Sequence, residues 1–490
     1  MLLLDWIVLS IYFLMLISIG VWAYSRVKNS ADFYTAGGNL PWWLSGVSHH
    51  VSGYSGAVFV AYAGIAYTHG FTLYVWWAFT VGLATLVAAF YIAPRWSRLR
   101  IFASIQSPTE YLLVRYNLST QQLIAWAGAI IKIFDTGGKL AAIAVLLNVF
   151  SGAPISLGIF LVGGVSLIYI TIGGLWADVW NDFGQFIVQL LAGLTMFVMI
   201  ILKLDDGLSG IFSMWEELPD SHSDFFHDPF TFSFMLVMLV INFFSYSGGT
   251  WNLATRFISS TSGSTARKAA ITSSILYFIW PLILLYPMFA SPIFFENMED
   301  PTLSYGKMVL EFLPQGLVGL VLASLFANTL SMTASDSNTV SAVISRDILP
   351  VIFPKIRKFS RKKALKLARV TTFSFTLLTI IVALNASYFG GVFGLIIAWF
   401  AALLGPISIP MILGLLPVFA NSDGRAAIIS ILGGLCTFVA LKIFPVESLA
   451  IEIGGPTLIS FLLFILYGAL NKKEPPEKVK ELHLNLDRNH

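Results

Sequence analysis

The stretch GVSHHVSGYSGAVF (46–59) places Gly46, Gly53 and Gly56 among Ser48, Ser52 and Ser55 in the middle of an otherwise apolar segment. A second stretch, FFSYSGGTWN (243–252), does the same with Gly248 and Gly249. Unwound backbone at membrane depth persists only where it is buried in protein or lines a cavity. Interrupted spans at corresponding places in two halves of a chain therefore point to a transporter's binding site. Glycine and serine also let helices pack closely, so either stretch alone decides little. As a pair five spans apart, they predict two inverted repeats of five helices, with extra helices at both ends.

The composition supports reading these stretches as intramembrane. Of 490 residues, 57% are hydrophobic and 11% charged, with a mean hydropathy of +0.80; a soluble domain carries about a quarter charged residues. This predicts an all-α polytopic membrane protein in the cell membrane, with the lipid bilayer as its solvent. A spanning helix needs about 20 mainly apolar residues. On that template thirteen spans are expected, near 6–24, 43–66, 71–94, 122–149, 155–172, 183–202, 231–250, 270–292, 312–345, 370–388, 392–418, 425–442 and 451–470. The ninth is too long for a single span and is expected to include an interfacial end. Residues 1–471 are thus read as one transmembrane domain: an extra first helix (6–24), repeat one (43–202), repeat two (231–418) and extra helices (425–470). A polar cytoplasmic tail follows at 472–490. The N-terminal apolar run lacks a basic leader and is long enough to span, so it is read as a retained helix.

Charge gives the orientation. With the N-terminus outside, 24 of the 29 Lys and Arg fall on cytoplasmic segments, Arg256 among them, and the C-terminus is cytoplasmic. The lone Cys436 excludes a disulfide framework and a thiolate metal cluster. His49 and His50 are adjacent and diverge by about 100° on a helix, so they cannot jointly clasp a metal. No catalytic motif or basic nucleic-acid-binding module occurs. The chain is read as a non-enzyme without a nucleic-acid partner, and nothing in it points to an obligate protein partner.

Polarity is concentrated in FANTLSMTASDSNTVSAVISRD (326–347), with eight hydroxyl side chains and Asp336 directly after an apolar run. A hydroxyl ladder opposite a broken helix suits a dehydrated alkali cation, which needs about five or six oxygens in place of water. Asp336 lies one helical turn beyond Met332. It could supply an oxygen there, titrate, or simply face a hydrated vestibule. A further charged set, Lys132, Asp135 and Lys139, is spaced to share one helical face within the fourth span. Its reading stays open between a solute site and a self-neutralising triad that ties helices together. Ser52, Ser55, Trp76, Trp77, Tyr246, Trp251 and Asn252 are the remaining candidate solute contacts. Aromatic faces beside amides suit a sugar or polyol, although such aromatics also serve as packing, gates or an interfacial belt.

Five motifs carry a family resemblance. DFYTAGGNLPWWLSGVS (32–48), SPTEYLLVRYN (107–117), GGLWADVWNDFGQ (173–185), TWNLATRFISSTSGSTARKA (250–269) and the Asn338, Ser341, Asp347 pattern resemble, in order, signatures of the sodium:solute symporter family. Asn181 and Thr255 stand where that family usually has Thr and Gln. The resemblance implies the LeuT-type five-plus-five fold and symport driven by Na+ through alternating access. It implies a sodium site from the carbonyls of Val51, Tyr54 and Asn328 and the hydroxyl of Ser331, with Met332 where another hydroxyl is usual. Asp182 and Ser335 match a second ion site of some members, in which Ala334 replaces a serine, and Asp336 is a further candidate for a second ion or a proton. In acid-transporting relatives a cation in the fourth span clasps the carboxylate; that position falls on Asp135 or Lys139. A sugar or polyol is slightly favoured as solute over a carboxylate or amino acid. The alternative is a proton-coupled or uncoupled facilitator of the same fold.

Overall fold

The computed structural model describes residues 2–204, 207–386 and 405–488, and every named element among them is helical. Nine helices among the described residues are long and apolar enough to cross a membrane. The first, α1 (Leu3–Tyr24), matches the first expected span. The second expected span is split into α2 (Trp42–Val51) and α3 (Ala61–His69) by an irregular connection. The break is narrower than 46–59: Gly46 and Ser48 are helical, and a Cβ at Gly46 would come 2.7 Å from the Ala269 carbonyl oxygen. Half of the glycine-serine stretch therefore serves close packing and the other half breaks the helix.

A π-helical turn (Tyr74–Phe79) leads into α4 (Thr80–Tyr91), and α5 (Ala93–Ala103) follows with Pro94 in its first turn. The fourth expected span is α6 (Leu118–Ser151). It starts where the Asn117 side chain accepts the Thr120 N–H and stops at Gly152, whose φ of 70° suits only glycine well. The fifth and sixth expected spans run together as α7 (Ile155–Ile201), bent at Gly174 with φ 53°. The seventh is α8 (Phe232–Phe244), interrupted by a π-helical turn (Ser245–Gly249) with Gly248 at φ 115°, then resumed as α9 (Asn252–Ile258).

Beyond it come α10 (Gly263–Phe294), α11 (Leu317–Val343) and α12 (Arg361–Leu384). The hydrogen-bonded run of α11 continues to Ile352, in keeping with the excess length of the ninth expected span. The first half of the eleventh expected span, up to residue 404, lies outside the described residues, and the rest begins with α13 (Gly405–Leu413). The last two spans are α14 (Gly424–Ile443) and α15 (Leu449–Leu470). The polar tail is not all solvated: α16 (Glu477–Asp487) buries Val479, Leu482, His483 and Leu486.

At the centre is α11, almost wholly buried and packed on α7, α6, α1 and α12. Its N-terminus is capped from another helix. Asp5 of α1 accepts the N–H groups of Gly316 (2.7 Å) and Gly319 (2.9 Å), satisfying donors that a helix start leaves open. A Cβ at Gly319 would come 2.6 Å from the Asp5 backbone, so glycine sets this approach. The polar helix α11 is thus fixed beside both broken helices.

Candidate ion and solute site

The break after Val51 brings α2 against the hydroxyl ladder. The Val51 carbonyl accepts the Tyr54 N–H at 3.2 Å, a turn that ends the helix and leaves Tyr54 in non-helical backbone. The Gly56 N–H is held by Thr329 Oγ1 at 2.9 Å. Ser52 Oγ lies 3.2 Å from Ser331 Oγ and 3.3 Å from Ser335 Oγ, so the unwound turn and α11 meet through hydroxyls. The Asn328 side chain accepts from Gln189 Nε2 at 2.7 Å and donates to the Ser324 carbonyl at 2.9 Å; it acts as a helix tie, and only its carbonyl is a candidate ligand. Ser55 is half-buried in the same turn.

Asp336 is fully buried, not in a hydrated vestibule. Its carboxylate receives Lys132 Nζ at 2.7 Å and Lys139 Nζ at 3.1 Å. Both ammonium groups also reach Asp135, at 3.2 and 2.6 Å. The expected triad on α6 is therefore a closed quartet of two cations and two anions that bridges α6 to α11. Thr136 Oγ1 adds a hydrogen bond to Asp336 at 3.4 Å. Because both Asp336 oxygens are engaged, its carboxylate does not stand in for the hydroxyl missing at Met332.

Arg256 does not lie in a cytoplasmic loop. Placed on α9 just after the second break, it is fully buried, and its Nη2 reaches Asp178 at 2.7 Å and Asp182 at 3.0 Å. The same nitrogen donates to Ser335 Oγ (2.5 Å) and Ser52 Oγ (2.9 Å), and Nε donates to Ser48 Oγ at 2.9 Å. Asp182 and Ser335 are thus brought together as the motif comparison implies, but around a guanidinium. The sequence reading missed Asp178. Its signal was present: a carboxylate one helical turn before Asp182 within an apolar span calls for a partner.

The candidate solute residues divide into two groups. Tyr246 donates to the Gly53 carbonyl at 3.2 Å, and Asn252 Nδ2 lies 3.5 Å from the Ser52 carbonyl, so both line the break. Trp77 meets Tyr54 edge-on at 5.5 Å. Trp76 stacks on Phe230 at 5.5 Å, and Trp251 packs where a Cβ at Gly128 would come 2.2 Å from its ring; these two serve packing. His50 and Tyr277, not singled out from sequence, complete the aromatic cluster. Tyr277 stacks on Tyr54 (5.5 Å, 3°), His50 packs 4.5 Å from Tyr277, and the Tyr277 hydroxyl donates to the His50 carbonyl at 2.9 Å. Among the described residues, the Tyr54 hydroxyl, both ring nitrogens of His50 and Asn252 Oδ1 are buried without a hydrogen-bond partner.

Comparison with known proteins fits this geometry. The fold superposes on a substrate-bound, outward-open structure of a Na+-coupled sialic acid symporter with a TM-score of 0.82 at 19% identity, covering 97% of this chain and 99% of that one. It also matches Mhp1, a nucleobase-cation-symport-1 family transporter, with a TM-score of 0.57 at 15% identity over 92% and 98% of the two chains. The family model for sodium:solute symporters matches residues 33–434. The chain belongs to the sodium:solute symporter family. Na+ is accordingly its coupling ion, and it is a multi-pass integral membrane transporter. Within the family, it is 26% identical to the sodium/sialic acid symporter NanT of Aliivibrio fischeri over 365 residues, 70% of each chain. It is 25% identical to the sodium/glucose cotransporter of Vibrio parahaemolyticus over 382 residues, 70% of this chain and 68% of that one. It is 24% identical to sodium/myo-inositol cotransporter 2 of Oryctolagus cuniculus over 464 residues, 86% and 67% of the two.

Proposed function

We propose that this symporter couples Na+ entry to uptake of a neutral polyhydroxylated solute, a sugar or polyol, by alternating access. The observation that carries the choice of solute is the closed quartet. Lys132 and Lys139 are each held by two carboxylates, so the cations of the fourth span are already neutralised inside the protein. A solute carboxylate would have to displace one of those anions. The cluster at the break instead offers aromatic faces with polar atoms at their edges: His50, Tyr54, Tyr246, Tyr277 and Asn252. A pyranose or cyclitol stacks its C–H face on such rings and pairs its hydroxyls with the edges. Relatives named for glucose and myo-inositol fit this reading.

Na+ is placed at the carbonyls of Val51, Tyr54 and Asn328 and the Ser331 hydroxyl, between the two halves of the break and α11. We place the N-terminus outside and the C-terminus in the cytoplasm, on thirteen spans, because that arrangement puts the basic loops inside. The test is uptake into proteoliposomes under an inward Na+ gradient, comparing sugars and polyols with carboxylates of similar size. Na+-driven uptake of a neutral polyol, lost in Tyr54→Ala, supports the reading. Na+-driven uptake confined to carboxylates rejects it. Met332 favours one second reading: a thioether is a poor ligand for a hard cation, and solute flux indifferent to Na+ would make this a proton-coupled or uncoupled carrier.

A further inference from the structure

The charges buried in the membrane interior do not balance. The quartet on α6 and α11 is neutral, with two ammonium groups on two carboxylates. The cluster at Arg256 is one positive charge short. Asp178 and Asp182 are both fully buried, and among the described residues Arg256 is the cation paired with either. Residues 387–404, outside the described set, contain no charged side chain. The other titratable groups facing the cluster are Tyr12 of α1, Tyr169 of α7 and His49 of α2. His49 is engaged elsewhere, with Ser273 Oγ at 2.8 Å and the Tyr246 carbonyl at 3.2 Å. An uncompensated buried carboxylate costs several kcal/mol even after relaxation, so the deficit calls for a cation.

The atoms that would receive it are on one stripe. Arg256 uses Oδ2 of both aspartates, while Oδ1 of Asp178 and of Asp182 has no partner. Asn181 Oδ1 is likewise buried and unpartnered, and the buried Gln185 amide reaches the Tyr12 hydroxyl. Positions 178, 181, 182 and 185 share one face of α7. That face meets α1, where Asn181 Nδ2 donates to the Leu16 carbonyl at 3.4 Å and the Tyr12 hydroxyl meets Gln185.

We propose that a monovalent cation binds between α7 and α1, on the outer carboxylate oxygens of Asp178 and Asp182 with the amides of Asn181 and Gln185. This site is separate from the Na+ position at the break. It also differs from the Ser335 side of Asp182, where the Arg256 guanidinium already takes the oxygens. Na+ satisfies the charge, and the proposal does not depend on which solute is carried.

The experiment is thermal stability of the purified full chain against Na+ concentration, with choline holding ionic strength, at alkaline pH. A ligand that binds only the folded state raises stability by mass action. Asp178→Asn makes the cluster one cation to one anion. Without Na+ at alkaline pH it should be no less stable than the wild type, and it should lose one component of the response. Loss of a Na+ component, with apparent affinity weakened about tenfold or more, supports the site. Ser331→Ala should leave that component in place, which separates this site from the one at the break. A full wild-type response to Na+ in Asp178→Asn overturns the proposal. Should that variant not fold, Gln185→Leu decides, since it leaves Arg256 and both aspartates: a response weakened about tenfold supports the site, and an unchanged one removes it.

Discussion

At the residue scale, the proposed Na+ position at the break turns on the contrast between Ser331 and Met332. Ser331 turns its hydroxyl to Ser52 in the break, whereas half-buried Met332 brings only sulfur, and Asp336 one turn later is committed to two lysines. Ser331→Ala should therefore weaken apparent Na+ affinity by about tenfold, and Met332→Ser should strengthen it by about as much, roughly 1.4 kcal/mol each way. The Na+ dependence of thermal unfolding measures both, and unchanged Na+ affinity in Ser331→Ala would remove that hydroxyl from the ligand set. The quartet gives a second residue-level expectation. Asp336→Asn leaves two buried ammonium groups on one carboxylate and should cost about 3–5 kcal/mol of stability. The double change Lys139→Met with Asp336→Leu keeps one Lys132–Asp135 pair and should recover most of that loss. An equal loss in the single and double variants would mean that packing, not charge balance, holds the ring.

At the scale of elements, each broken helix rests on a particular glycine. Gly248 holds φ 115°, and a Cβ there would meet both Ala254 Cβ and Trp96 Nε1 at 2.8 Å. Gly248→Ala should cost about 1–3 kcal/mol from backbone strain and depress transport, whereas Gly164→Ala, with no atom within 4 Å of its would-be Cβ, should do neither. Unfolding midpoints of the two variants, measured together, check this. The interruptions were legible in sequence because glycine clusters within apolar runs have few other uses at membrane depth. Their extent was not: Gly46 reads like Gly53, yet one admits α10 and the other faces the Tyr277 hydroxyl. Partners were also hidden. That Asp336 belongs with Lys132 and Lys139, and Arg256 with Asp178 and Asp182, depends on which helices become neighbours, and those pairs are separated by some 80 to 200 positions. The helical spacing of Lys132, Asp135 and Lys139 was local and could be read directly.

At the scale of the whole molecule, contacts on the side bearing the basic loops tie distant parts of the chain together. Arg115 donates to the carbonyls of Gly414 (3.0 Å) and Phe419 (2.6 Å), and buried Asp347 accepts from Ser107, Thr109 and Gln121. Tyr34 bonds to Ser341 of α11 and to Ser345 in its continuation. Residues of several family motifs thus meet on this face. Across it lies α16: Arg98 of α5 donates to the Leu486 carbonyl at 2.6 Å, Arg95 pairs with Asp487, and His483 Nε2 donates to the Gly414 carbonyl at 3.1 Å. Burial lowers the pKa of His483 from the ordinary imidazole value, and Arg115 and Arg95 add to that effect against the opposing Gly414 bond and Asp487. The undocked tail therefore binds a proton at higher pH than the docked one. Docking should be complete above about pH 6.5, the ordinary imidazole value, and should weaken as pH falls below it toward the lower docked-state value. Hydrogen exchange over residues 477–487, corrected for intrinsic rates, should rise on acidification in the wild type and stay flat in His483→Gln. Equal acid sensitivity in both would rule out His483 as the group whose protonation releases α16.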